Sequence, residues 1–160
     1  MSADRQGGVV TILGLWDSEA DRDASGRALA DVRDEGREII GGDMTVENFE
    51  EVLVNVKAPP APGKALFVQR ARMDPSRMAD NIAFFEGEIA PKIAANPGFC
   101  ALRNMVDRQT GETLLGTVWD SVDAMHAALA NSQTLMQQSV DRGVTFGDTS
   151  ERELLFADMP

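Results

Sequence analysis

One histidine, one cysteine and no tyrosine are what this 160-residue chain offers among the side chains that most often act near neutral pH. His126 is the only side chain whose ordinary titration falls between pH 5 and 8, which makes it the natural candidate catalytic residue for proton transfer. It follows Met125 and precedes Leu129 beside an apolar stripe, a place that fits the edge of a pocket and equally fits a solvent-facing helix flank. One histidine, the single Cys100 and no carboxylates clustered at ligand spacing make no coordination set, so no metal is expected. No glycine-rich loop follows a strand and opens a helix, and Gly41-Gly42 stands at a helix end instead, so no nucleotide cofactor is expected. Ser18 and Ser121 read as helix caps with no histidine placed to activate them as nucleophiles.

These residues need elements to hold them. Val9 to Trp16 is rich in β-branched residues and reads as a strand. Asp17-Ser18 caps a helix running to about Ile40, and Asn48 to Val56 returns as a strand. Residues 1–8 read as a disordered leader, and residues 57–64, with three prolines, as a stiff linker. From there the order is a strand at Ala65 to Met73, a helix opened by Asp74-Pro75, strands at Phe99 to Val106 and Glu112 to Trp119, a helix capped by Asp120-Ser121 and a strand at Glu151 to Asp158. In the first of these helices Met78, Ile82, Phe85, Ile89 and Ile93 recur at steps of four, three, four and four, which puts them on one face against a sheet. Residues 65–160 thus spell βαββαβ, the α+β ferredoxin-like unit with a four-stranded antiparallel sheet and two helices on one face.

The chain also repeats itself. Trp16-Asp17-Ser18 recurs 103 positions later as Trp119-Asp120-Ser121, and Ala24, Glu50, Ile12, Leu15 and Val32 meet Ala127, Glu153, Leu115, Val118 and Leu135 at the same offset. Residues 9–56 therefore read as a βαβ half-copy of the later unit. Two strands and a helix cannot bury their apolar face alone, so the half-copy must pack on the complete unit, within the chain or across a dimer.

Composition narrows the partners. With 26 acidic and 15 basic residues the formal charge is -11, which disfavours nucleic acid and anionic membrane surfaces. The absence of a signal peptide or long apolar run makes a cytoplasmic location the default expectation. Eight methionines, Met73, Met78, Met105, Met125 and Met136 among them, suit an adaptable pocket or a filled core alike.

The later unit resembles the antibiotic biosynthesis monooxygenase-like domains of the dimeric α/β barrel superfamily. The resemblance is carried by Ala65-Leu-Phe-Val-Gln-Arg, Asn96-Pro-Gly-Phe99, Thr110-Gly111 and Val118-Trp-Asp-Ser121. It implies a pocket between sheet and helices, with the half-copy completing a pseudo-dimer or a homodimer forming through the same sheet face. It also implies cofactor-independent oxygenation, or binding only, of a small hydrophobic aromatic, and gives the ligand-binding candidates Gln69, Asn104, Trp119 and Leu129. Arg103 neighbours Asn104 in a strand and so points to the opposite face. The haem-degrading branch of the superfamily uses an Asn, a Trp and an iron-ligating His, whose positions fall here on Gln69, Leu129 and Ser139. That substitution argues against haem, and no cofactor is expected. A non-catalytic binding or dimerisation module is the rival reading.

Overall fold

The computed structural model describes residues 1–157, so the end of the last unit expected to reach residue 160 lies outside the described residues. The strands are β1 (Ser2–Asp4), β2 (Val9–Thr11), β3 (Glu50–Val56), β4 (Ala65–Arg72), β5 (Phe99–Val106), β6 (Glu112–Trp119) and β7 (Thr145–Leu154). The helices are α1 (Glu19–Ala28), α2 (Ala30–Ile40), α3 (Met78–Phe84), α4 (Ala90–Ala94), α5 (Val122–Ala130) and α6 (Gln133–Val140). The chain forms two compact units, one of Met1–Thr11 with the chain from Phe49 onward, the other of Ile12–Asn48.

In the larger unit all seven strands make one antiparallel sheet in the order β2-β1-β7-β4-β6-β5-β3. Its centre, β7-β4-β6-β5, is the ferredoxin-like arrangement expected of βαββαβ, with β4 and β6 innermost because each helical crossover returns the chain past a neighbouring strand. Ala65, Ala90, Phe99, Leu102, Trp119 and Met125 form the core between sheet and helices. Cys100, Ala101, Val118 and Leu154 make a smaller cluster on the other sheet face.

Four expectations are corrected. The leader is ordered at Ser2–Asp4, where β1 pairs with β7 and buries Ser2 and Ala3. Among the described residues the two strands of the half-copy build no second sheet of a pseudo-dimer, since β2 reaches the one sheet through β1 at one edge and β3 adds to β5 at the other. Residues 57–64 do not link two domains: Lys57 and Ala58 N–H donate to the Cys100 carbonyl and Gly63 N–H to that of Leu154, which ties the segment to the sheet. The last strand runs over Thr145–Leu154, because pairing along β4 recruits the polar Gly-Asp-Thr-Ser stretch that has little strand propensity of its own.

The amphipathic helix opens as read, with Asp74 accepting from Ser76 N–H at 2.8 Å. It is interrupted by a π-helical turn at Phe85–Ile89, just ahead of Pro91, which supplies no N–H and whose ring needs room against the preceding turn. In the smaller unit Ser18 caps α1 at φ -151°, ψ 161°, and Ser121 caps α5 at φ -152°, ψ 164°, so the repeated tripeptide folds alike at both sites.

The β5–β6 hairpin ends in Gly111 at φ 80°, whose carbonyl accepts from Met73 N–H at 2.9 Å. A Cβ there would lie 1.9 Å from the Met73 carbonyl oxygen. Gly111→Ala is therefore expected to cost roughly 2–3 kcal/mol, from left-handed backbone strain plus a steric clash with main chain. Urea unfolding measures it, and a change below about 0.5 kcal/mol, the range of an ordinary surface substitution, would show that the hairpin is not held to β4.

Candidate functional site

A cavity of about 380 Å³ lies between the sheet and the helices. Strand alternation decides which side chains reach it: odd positions of β4 and β6 and even positions of β5 face the helices. Register places Gln69, Leu115 and Asn104 in one row across β4, β6 and β5, with Phe67 and Thr117 in the row on one side and Ala71 and Thr113 on the other. Gln69 and Asn104 thus stand two strand spacings apart, roughly 10 Å, with Leu115 between them.

The two amides differ in how they are held. The ladder between β4 and β7 shifts register between Gln69 and Ala71, and the bulge turns main-chain carbonyls toward the Gln69 side chain. Its Nε2 donates to the carbonyls of Arg70, Gly147 and Asp148 at 2.7, 3.0 and 3.3 Å. Three acceptors around one end require that end to be the NH2 group, which leaves Oε1 as the acceptor available to a ligand. Asn104 is only 7% exposed, lines the cavity, and its side chain has no hydrogen-bond partner among the described residues. Its amide is open to the cavity, so a ligand that fills the cavity must supply the hydrogen bonds or leave the group stranded.

The remaining polar lining is mostly engaged. Trp119 Nε1 donates to Thr117 Oγ1 at 2.9 Å, and the Trp119 ring meets Phe99 edge-on at 5.6 Å. Asn81 Nδ2 contacts Met73 Sδ at 3.5 Å while Oδ1 accepts from Arg142 Nε at 3.2 Å. The lining otherwise consists largely of Phe67, Phe84, Phe85, Ile89 and other apolar side chains.

Gln69, Asn104, Trp119 and Leu129 are brought together as lining residues of this one cavity. His126 is not among them. It lies about 60° further round α5 than Leu129, and its Nε2 pairs at 2.9 Å with Glu151 Oε2 on β7, both side chains being half exposed. Proton transfer inside the cavity cannot come from it. Arg103 points to the opposite face, where it pairs with Glu51 at 2.5 Å. Cys100 is fully buried on that face; burial first, and its contact with Asp120 at 3.4 Å second, push its thiol above the ordinary value and away from nucleophilic use. Lys64, bonded to Asp120, holds that carboxyl below its usual range.

No protein-family model matches the chain. Two uncharacterised proteins from two strains of Mycobacterium tuberculosis are each 26% identical over 157 residues, covering 98% of this chain and 70% of their own length. Among solved structures, an anthrone oxidase-like protein superposes with a TM-score of 0.57 at 16% identity, covering 86% of this chain and 67% of that one. A Streptomyces coelicolor monooxygenase bound to nanaomycin D gives 0.51 at 16% identity, covering 61% and 92%. The chain has the antibiotic biosynthesis monooxygenase-like fold. A haem-degrading enzyme of Listeria monocytogenes is similar too, at 0.50 and 8% identity over 66% of this chain and 69% of that one.

Haem bound through iron needs an axial ligand from the cavity wall. Gln69, Leu129 and Ser139 all line it, yet no histidine, cysteine or tyrosine does among the described residues. The donor set does not fit an axial ligand of the imidazole, thiolate or phenolate kind. Within this monooxygenase-like fold two lining residues had escaped the sequence reading. Asn81 follows Met78 by three and so shares the buried face of the helix, a signal that was available. Arg142 sits just beyond α6, where no periodicity marks it.

Proposed function

We propose that this protein binds a small hydrophobic aromatic bearing a phenolic or enolic oxygen and oxygenates it without a cofactor. The observation that carries the reading is Asn104, an unpartnered buried amide facing an apolar cavity across from the fixed Oε1 of Gln69. Gln69 Oε1 accepts the hydroxyl hydrogen of the bound substrate. Asn104 Nδ2 donates to the oxygen on which negative charge grows, which favours the ionised form. No carboxylate and no histidine lines the cavity among the described residues, so the proton leaves to water and the protein's part is to stabilise the anion. The electron-rich anion then reduces dioxygen itself. For a ring methylene the balance is one CH2 and one O2 giving one C=O and one H2O, through a carbon-bound peroxide that breaks its O–O bond as the second C–H proton departs.

Anthrone tests this directly. Purified protein with chelator present and no flavin added is expected to consume one dioxygen per anthrone and form anthraquinone, saturably and well above the buffer rate. Anthrone binding without any rate increase would overturn the oxygenase and leave the binding module. The structure described places no helix long and apolar enough to cross a membrane among the described residues, and the assay needs none.

A further inference from the structure

The charged side chains that line the cavity are all of one sign among the described residues. Among the described lining residues only Lys92 and Arg142 are charged, in a chain whose formal charge is -11. Lys92 is answered by Glu88 at 3.4 Å. Arg142 is answered by no carboxylate among the described residues: Nε donates to Asn81 Oδ1, Nη2 to the Asp80 carbonyl at 3.4 Å, and the guanidinium lies 4.4 Å from the centre of the Phe84 ring. These contacts fix the group and cover one of its faces while leaving its charge uncompensated. A second guanidinium, that of Arg77, approaches the neighbouring Gly143 and adds to the same sign.

Arg142 differs from the exposed arginines less in lacking a carboxylate than in where it stands, at the wall of an apolar cavity with its guanidinium held in place. Arg5, Arg22, Arg37, Arg103 and Arg108 each pair with a carboxylate. Through Asn81, which touches Met73, Arg142 stands at the end of the cavity where β4 finishes, about four residues and hence roughly 13 Å along the strand from Gln69. Resting on the reading of this cavity as a ligand site, we propose that its ligand is an aromatic acid, whose carboxylate is taken by Arg142 while its ring system lies over Leu115 toward Gln69 and Asn104. A guanidinium offers a carboxylate two parallel N–H donors, and in an apolar cavity that pairing is worth far more than in water. It also offsets the repulsion an anion meets on approaching an acidic protein.

Calorimetric titration with 2-naphthoate and 2-naphthamide tests it, the two probes sharing ring and shape and differing in charge. The acid is expected to bind at least about tenfold more tightly than the amide, and in Arg142→Gln the acid is expected to lose far more affinity than the amide, so that its advantage vanishes. Arg142→Lys is expected to keep part of the advantage, and urea unfolding followed by far-UV circular dichroism shows that the variants are folded. Equal affinities in the wild type, or a preference that survives Arg142→Gln, would overturn the aromatic-acid proposal while leaving the cavity reading intact. Binding of neither probe would remove both.

Discussion

Replacing Asn104 with leucine is expected to slow anthrone turnover by about a hundredfold and to leave the protein as stable as before, or more stable by up to about 1 kcal/mol. The two effects have one cause. Asn104 opens onto the cavity and no described residue bonds its amide, so no hydrogen bond within the protein is lost when it is replaced. Leucine has nearly the same volume, adds apolar surface to an apolar lining and leaves no described group without its partner, while the developing oxyanion loses its donor. The loss is expected in kcat more than in KM, because the donor is worth most when the oxygen is charged. Oxygen uptake and urea unfolding on the same preparation read the two halves. A variant as active as wild type would remove Asn104 from the chemistry, and one that fails to fold would show that the amide has a structural partner.

Gln69 cannot be tested so cleanly. Its Nε2 satisfies the carbonyls of Arg70, Gly147 and Asp148, so truncation leaves buried acceptors unpaired and weakens the bulge itself. A drop in activity there would mix positioning with stability. The separation between the two amides, one bound into the main chain and one waiting, makes Asn104 the informative substitution.

Much of this arrangement was legible in the residues. The order of elements from Ala65, the caps at Asp74 and Ser121, and the helical stripe from Met78 to Ile93 all rest on local spacing and local bonds, which sequence reports well. Alternation along β5 separated Asn104 from Arg103 correctly. The errors lie where tertiary partners decide. Ser2–Asp4 becomes a strand only because β7 offers an edge, and residues 145–150 extend β7 only because β4 lies beside them. His126 drew attention as the one titratable imidazole, but a residue type is not a position, and about 60° of helix rotation takes it to the surface. Arg142 was invisible for the opposite reason: its importance comes from Asn81, Phe84 and the absence of a carboxylate, none of which is adjacent in the chain.

The repeated tripeptide gives the second large effect. Trp119→Ala is expected to destabilise by about 3–5 kcal/mol, whereas Trp16→Ala should cost less than about 1 kcal/mol. Both tryptophans precede an Asp-Ser pair, and both serine caps have the same backbone angles, so local sequence has produced the same local structure twice. Burial separates them. Trp119 is 2% exposed, packed edge-on against Phe99 and bonded to Thr117, while Trp16 is 43% exposed. Removing the first opens a void in the core between sheet and helices; removing the second mostly returns surface to water. Far-UV circular dichroism in urea, which does not depend on either indole as reporter, compares the two variants. Equal losses would mean that Trp16 is covered in solution and that the repeat extends from capping to packing. Unequal losses would confine the repeat to what an Asp-Ser cap can specify, a turn and a helix start, with the tertiary environment written elsewhere in the chain.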